Sequence, residues 1–94
     1  MARMFNPPHP GEVLREFLPD GMTIEEVSRR LGVSRVQLSR VLNGRSSISA
    51  DMAIRIGLLT NTTPESWLAG QTKRDLWLAS RKPPPAVEPF RRAA

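Results

Sequence analysis

The chain has 94 residues and a formal net charge of +5, which fits one small domain with a modest core rather than a deep catalytic cleft. It contains no cysteine and one histidine, and it has no recognisable metal-ligand cluster or glycine-rich phosphate loop, so we expect no catalytic residue, no metal and no cofactor. Because no apolar run approaches the roughly 20 residues that span a bilayer, we expect a cytoplasmic protein that does not enter the membrane.

Arginine is concentrated in the middle of the chain. Residues 28–50 include five arginines and no acid, whereas residues 9–27 include five acids and one arginine. Lys and Arg side chains that neutralise phosphates release condensed counterions, so a basic segment is what binding to a nucleic-acid backbone requires. The basic middle segment is therefore a candidate DNA-binding surface, with an ordinary solvated face as the alternative.

Proline-rich segments mark both ends of the predicted domain. Prolines occupy positions 7, 8 and 10 at the front and 83–85 at the back, where they do not continue a helix. We predict an N-terminal extension over residues 1–8, a domain over 9–80 and a flexible tail over 81–94. No segment of the domain alternates as a strand does, so we expect an all-α fold.

Five helices are predicted in chain order. The first begins at Pro10, and the second and third begin after the caps Thr23 and Ser34, each with Glu or Gln three residues further on as in a capping box. The fourth follows the cap Ser49 and covers about residues 50–59, and the fifth begins at Pro64 and covers about 15 residues. The first helix carries an apolar stripe that we expect to be buried: Val13, Leu14, Phe17 and Leu18.

The second and third helices are separated by three residues only, 32–34. Such a short corner favours two helices at a steep angle, and Gly32 suits the left-handed conformation that ends a helix. Apolar residues are spaced to fill the angle: Val27, Leu31, Val33, Leu38 and Val41. We predict a helix-turn-helix over Thr23–Gly44, with a helical hairpin as the alternative, and we place its second helix, Arg35–Leu42, in the major groove of DNA.

The exposed face of that second helix provides the candidate base-reading residues. Arginine makes bidentate contacts to guanine and glutamine to adenine, while valine meets the thymine methyl group. For Gln37 a capping role competes with base contact, and for Val36 a core position is the alternative. The predicted base-reading residues are Arg35, Val36, Gln37, Ser39 and Arg40.

Contacts to the DNA backbone are predicted from two helix N-termini and from the loop after the second helix. Backbone N–H groups at helix N-termini favour anions, and hydroxyl, amide and arginine donors bind phosphate oxygens. For Thr23 and Ser34, capping alone is the alternative. The predicted phosphate contacts are Thr23, Ser34, Asn43, Arg45 and Ser46.

A second copy of the chain is expected to complete the DNA-binding unit. One short helix reads only a few base pairs, so two copies related by symmetry should read an inverted repeat in double-stranded operator DNA. The fifth helix has more large apolar residues than a four-helix core needs, although packing on the core is the alternative for Trp67. The predicted homodimer surface is Trp67, Leu68, Leu76 and Trp77.

Four separated blocks of the sequence resemble the HigA family of antitoxins, which are helix-turn-helix proteins of the phage-repressor type. The blocks are 9–14, 31–34 with 38–44, 48–53, and 63–68 with 75–76, and the chain departs from the family pattern at Thr60-Asn61 and Arg74. The resemblance implies a five-helix, phage-repressor-like antitoxin that silences a HigB-type toxin, similar to RelE-like mRNA endonucleases, and represses its own operon. A repressor without a toxin partner is the alternative.

The acidic front of the chain is a candidate contact for such a toxin. A ribonuclease toxin should be basic, and charge complementarity then favours an acidic surface on its partner. The candidate residues are Glu12, Glu16 and Asp20, with a solvated helix face as the alternative.

Overall fold

The computed structural model describes residues 6–91, and within them it contains five α-helices and no strand. The helices are α1 (Pro10–Phe17), α2 (Ile24–Leu31), α3 (Arg35–Leu42), α4 (Ala50–Thr60) and α5 (Pro64–Ser80). The predicted all-α, five-helix fold is therefore confirmed. Residues 83–91 are exposed and have no regular secondary structure; the parts of the predicted extension and tail at 1–5 and 92–94 lie outside the described residues.

Every helix begins at a side chain that accepts a hydrogen bond from a backbone N–H group of the first turn. The capping boxes predicted for α2 and α3 are only half formed, because Thr23 and Ser34 accept their bonds but no reciprocal bond is made within the described residues. The Glu26 carboxylate instead accepts from Arg29 and Arg30, since hydrogen bonds between ionised groups are stronger than bonds to a neutral amide.

The complete capping box lies at α1, where the sequence analysis did not place one. The His9 ring accepts from the backbone N–H of Gly11 at 2.9 Å, and the Glu12 carboxylate accepts from the backbone N–H of His9 at 3.2 Å. Histidine is not among the preferred capping residues, so the pattern predicted no capping box here, although packing or capping is the expected role of His9.

One core lies between the five helices. Its fully buried side chains come mainly from α2, α3 and α4, with Leu14 of α1 and Trp67 of α5 closing it. The stripe predicted for α1 is buried only in part, because Phe17 is 46% exposed and rests on the Trp67 ring with centroids 5.7 Å apart. The buried apolar residues are Leu14, Val27, Leu31, Leu38, Val41, Leu42, Ile48, Met52, Ala53, Ile56 and Trp67.

The first turn of α1 packs against the C-terminal end of α3. A Cβ atom built on Gly11 would overlap the carbonyl oxygen of Val41 and lie 2.8 Å from the Val41 carbonyl carbon. Arg15 donates from Nε to the Leu42 carbonyl at 3.1 Å and from Nη2 to the Asn43 side chain at 3.0 Å. The end of α3 is thus fixed by α1.

Over the described residues no helix has the length and apolar character of a membrane span.

Candidate nucleic-acid interface

The corner between α2 and α3 is closed by backbone hydrogen bonds. Gly32 has φ +73° and donates to the Arg29 carbonyl, and Val33 donates to the Ser28 carbonyl at 3.1 Å. These are the two bonds of a Schellman motif, which needs the left-handed residue that glycine supplies. The predicted role of Gly32 is confirmed, and the corner holds α3 at a fixed position beside α2.

Arg55 of α4 also bonds to the same corner, a role that the sequence analysis did not predict. Its Nη1 donates to the Leu31 carbonyl at 2.8 Å and to the Gly32 carbonyl at 3.3 Å, and its Nε donates to Asp51 at 2.7 Å. In the sequence, Asp51 and Arg55 have the spacing of a surface ion pair on one helix. No periodicity reveals that the guanidinium also reaches carbonyls 23 and 24 residues away.

The helix α3 is divided into a buried and an exposed face. Leu38, Val41 and Leu42 are buried, whereas the candidate base-reading side chains lie on the other side. Of these, Arg35, Val36, Gln37 and Arg40 are exposed and Ser39 is half-buried. Val36 is 62% exposed, so the alternative that it belongs to the core is excluded. The Gln37 side chain is not used in the α3 cap, which removes the competing role considered for it.

Three of the five arginines in the basic segment are already paired with acids of α2. Arg29 and Arg30 bind Glu26 at 2.6 and 2.7 Å, and Arg35 lies 3.2 Å from Glu25. The hydrogen bonds from Arg29 and Arg30 hold the pKa of Glu26 at about 2. The Arg35 pair is exposed on both sides, and such pairs contribute little, so the pair does not commit Arg35 to Glu25.

Ile24 at the start of α2 lies beside this reading face. It lines one concave surface together with four residues of α3, namely Arg35, Val36, Ser39 and Arg40, and it is 37% exposed. The sequence analysis gave Ile24 no role, because an apolar residue in the first turn of a helix is normally assigned to the core. Its position adds apolar surface of the kind that contacts a thymine methyl group.

The predicted phosphate contacts differ in how free their donors are. The hydroxyl oxygens of Thr23 and Ser34 accept from backbone N–H groups at 3.1 and 3.0 Å, which leaves each O–H free to donate. Asn43 is engaged on both sides of its amide, by Ser39 and by Arg15. Arg45 is exposed and Ser46 half-buried in the loop after α3.

The predicted dimer surface needs one correction. Trp67 is 6% exposed, packs on Phe17, and donates from its indole N–H to Thr62 at 2.6 Å. It belongs to the core, so the assignment of Trp67 to a subunit interface was wrong. Leu76 is 65% exposed, and Leu68 and Trp77 are half-buried.

The acidic candidates for toxin contact all lie on the surface. Glu12, Glu16 and Asp20 are exposed, but one Glu12 oxygen accepts from the backbone N–H of His9 in the α1 cap. Glu16 and Asp20 are therefore the freer carboxylates of the three.

Comparison with known proteins gives the family. The helix-turn-helix family HTH_3 matches residues 14–68. Virulence-associated protein A' of Dichelobacter nodosus is 46% identical over 76 residues, which cover 79% of this chain and 66% of that protein. An addiction module antidote protein of the HigA family from Coxiella burnetii is 37% identical, with a TM-score of 0.77 over 82% of this chain and 86% of that chain. The chain belongs to the HigA family of helix-turn-helix proteins.

A further member of this group has been solved on DNA. The Pseudomonas aeruginosa antitoxin HigA, in a structure with the higBA promoter, is 36% identical, with a TM-score of 0.74 over 80% of this chain and 84% of that chain. The match to the Dichelobacter protein spans a little less than two thirds of that protein's length. The resemblance recognised from the four sequence blocks is thus confirmed at the level of family and fold.

Proposed function

We propose that this HigA-family protein binds operator DNA through the exposed face of α3, represses its own operon, and neutralises a HigB-type toxin. The division of α3 into two faces carries the proposal. Leu38, Val41 and Leu42 anchor the helix in the core, which leaves arginine and glutamine on a surface that a major groove can accept. Support comes from the relative solved with promoter DNA.

Sequence preference is assigned to the N-terminal half of α3. Arg35 is the main candidate for a bidentate contact to guanine, and Gln37 for one to adenine. Arg40 and Ser39 follow on the same face, and Val36 with Ile24 offers apolar contact. Each good bidentate pair discriminates against a wrong base by about 1–3 kcal/mol, so Arg35 is the residue whose loss should alter specificity most.

Backbone contacts are assigned to the helix N-termini and the loop after α3. Thr23 and Ser34 have free O–H donors at the starts of α2 and α3, and Arg45 and Ser46 follow the end of α3. These donors would set affinity and register rather than sequence choice. Asn43 joins them only if it releases Ser39 or Arg15.

We propose a homodimer on an inverted repeat, with the exposed side of α5 as the contact. Leu76 is the most exposed of the remaining candidates, and Leu68 and Trp77 are half-buried on the same helix. A symmetric pair would present its two copies of α3 to half-sites about 34 Å apart along the DNA. Sedimentation of Leu76→Asp against wild type tests this surface, and an unchanged dimer would contradict it.

The DNA-binding proposal is tested by fluorescence anisotropy on DNA from upstream of the gene and on a scrambled duplex, at several salt concentrations. Arg35→Ala should lose about 1–3 kcal/mol of preference for the upstream DNA. Arg45→Ala should weaken binding to both duplexes equally and reduce the salt slope by about 1. Lys73→Ala, which removes a positive charge from α5, is the control. If Arg35→Ala, like Arg45→Ala, weakens binding to the upstream and the scrambled duplex by the same factor, the assignment of Arg35 to base reading is refuted.

The toxin proposal is tested by co-expression with the product of a neighbouring small gene. We propose that the exposed carboxylates of Glu12, Glu16 and Asp20 contact a basic surface of that toxin. Charge reversal at Glu16 and Asp20 should then abolish co-purification while DNA binding persists. If the toxin still co-purifies with the charge-reversed protein, these carboxylates are not the contact. If the wild-type chain binds operator DNA but no such toxin, it is a repressor without a toxin partner.

A further inference from the structure

The loop over residues 43–47, which we name the phosphate loop, is shaped first by the end of α3. Gly44 has φ +70° and donates from its N–H to the Val41 carbonyl, while Arg45 donates to the Arg40 carbonyl at 2.8 Å. These two bonds form a second Schellman motif. They fix where the loop leaves the helix, but they do not fix the residues after Arg45.

His9, the N-cap of α1, holds Ser46 of the phosphate loop. Its ring is buried, with Nδ1 at 2.9 Å from the Gly11 nitrogen and Nε2 at 3.1 Å from the Ser46 carbonyl oxygen. A backbone N–H only donates and a carbonyl only accepts, so both contacts are satisfied only by the neutral ring with its proton on Nε2. His9 therefore donates to Ser46, 37 residues away in the sequence.

Gln71 of α5 holds Ile48, the residue that follows the phosphate loop. Its Oε1 accepts from the Ile48 N–H at 2.7 Å, and its Nε2 donates to the Ile48 carbonyl at 2.9 Å. One amide thus satisfies both backbone groups of Ile48, whose side chain is 4% exposed in the core. The chain after the phosphate loop cannot shift without breaking this pair of bonds.

We propose that His9 and Gln71 are positioning residues for DNA binding. They order the phosphate loop in the free protein, so that Arg45 and Ser46 can contact the DNA backbone without a further loss of conformational entropy. The inference rests on the proposed DNA-binding function. Neither residue needs to touch DNA, since His9 acts through a carbonyl of the loop and Gln71 through both backbone groups of Ile48, the residue that follows it. Interactions that order a binding segment before it binds raise affinity by removing the ordering cost from the binding step.

The test uses His9→Asn, because asparagine is a preferred helix cap and its short amide can accept from Gly11 but does not reach Ser46. In His9→Asn one more loop residue must become ordered when DNA binds, and this should weaken DNA binding roughly 5- to 30-fold. The loss should be equal on upstream and scrambled DNA, because phosphate contacts carry no sequence information. Gln71→Ala, which removes the other tether, should act in the same direction.

Two readouts separate positioning from general destabilisation. Hydrogen exchange of the Ile48 amide, which donates to Gln71, should quicken in Gln71→Ala while amides of α2 and α4 keep their protection. In an Arg45→Ala background His9→Asn should lose most of its effect, because residues that act through one contact are not additive. A plain loss of stability would leave the two effects additive.

The outcomes distinguish this inference from the proposed function. Wild-type protein that fails to bind the upstream DNA overturns both. Wild-type protein that binds it while His9→Asn and Gln71→Ala bind equally well overturns only the positioning role. Losses that add to the Arg45→Ala loss, or that fall on upstream DNA alone, also overturn it.

Discussion

The contact between α1 and the end of α3 depends on the absence of a side chain at Gly11. In Gly11→Ala the new Cβ would overlap the Val41 carbonyl oxygen and lie 3.0 Å from the Cα of Leu42. All of these atoms belong to the backbone of α3, so no rotamer change can relieve the overlap. The first turn of α1 must move away from α3, and the side chains that bridge the two helices move with it.

The expected cost follows from the bonds that this movement breaks. Arg15 bonds to Leu42 and Asn43 at 3.1 and 3.0 Å, and His9 bonds to Ser46 at 3.1 Å. Hydrogen bonds of this kind contribute about 1 kcal/mol each, overpacking adds about 1–3 kcal/mol, and the gain in helix propensity offsets about 1 kcal/mol. Gly11→Ala should therefore lower the free energy of unfolding by about 3–5 kcal/mol.

The assay is urea denaturation followed by circular dichroism, together with a thermal scan. For a domain of this size, about 3 kcal/mol corresponds to a fall in Tm of roughly 12–24 °C. Gly70→Ala is the matched control, because Gly70 is also in a helix and a Cβ there would meet nothing within 4 Å. It should stabilise the protein by about 1 kcal/mol. A Gly11→Ala protein as stable as wild type would refute the close approach of α1 to α3.

Three further predictions concern α2 and α3. The pKa of Glu26 is lowered from 4.5 to about 2 by Arg29 and Arg30. Glu26→Gln should therefore be less stable than wild type above about pH 4.5, and the two stabilities should converge as the pH falls through 2. Equal urea midpoints at pH 7 would contradict this. Leu38→Ala, at a position with 0% exposure, should cost about 2–5 kcal/mol, and a loss under 1 kcal/mol would mean that the site is not buried. Ser34→Ala removes the α3 cap and should cost about 1 kcal/mol, measured by the same denaturation.

Local signals were sufficient for the helices because helix ends are decided within a few residues. Thr23, Ser34, Ser49 and Thr63 each cap the helix predicted after them, and Gly32 ends α2 in the left-handed conformation. Capping and left-handed termination depend on the backbone of the same turn, so they can be recognised from short patterns. The family resemblance was recognisable for a similar reason, since its blocks contain these caps and corners.

Charge was the weakest guide, because it was counted along the chain rather than in space. The basic segment holds no acid in sequence, yet Glu25 and Glu26 from the preceding turn form ion pairs with three of its arginines. The place of Trp67 was also not predictable from the sequence, since an aromatic residue on a long helix fits either a core or a subunit interface. Its burial depends on how α5 packs in the fold, where the ring meets Phe17 of α1 and its N–H donates to Thr62.

The order of the helices, the caps of α2 to α5 and the apolar face of α3 follow from the sequence, because each depends on spacings of three or four residues. Tertiary packing decided which polar groups remain free for a partner. His9, Gln71 and Arg55 bond to backbone groups 23 or more residues away, and contacts of that separation leave no periodic pattern. Long-range hydrogen bonds are selected by where the helices meet, and that meeting depends on close approaches such as Gly11 on α3.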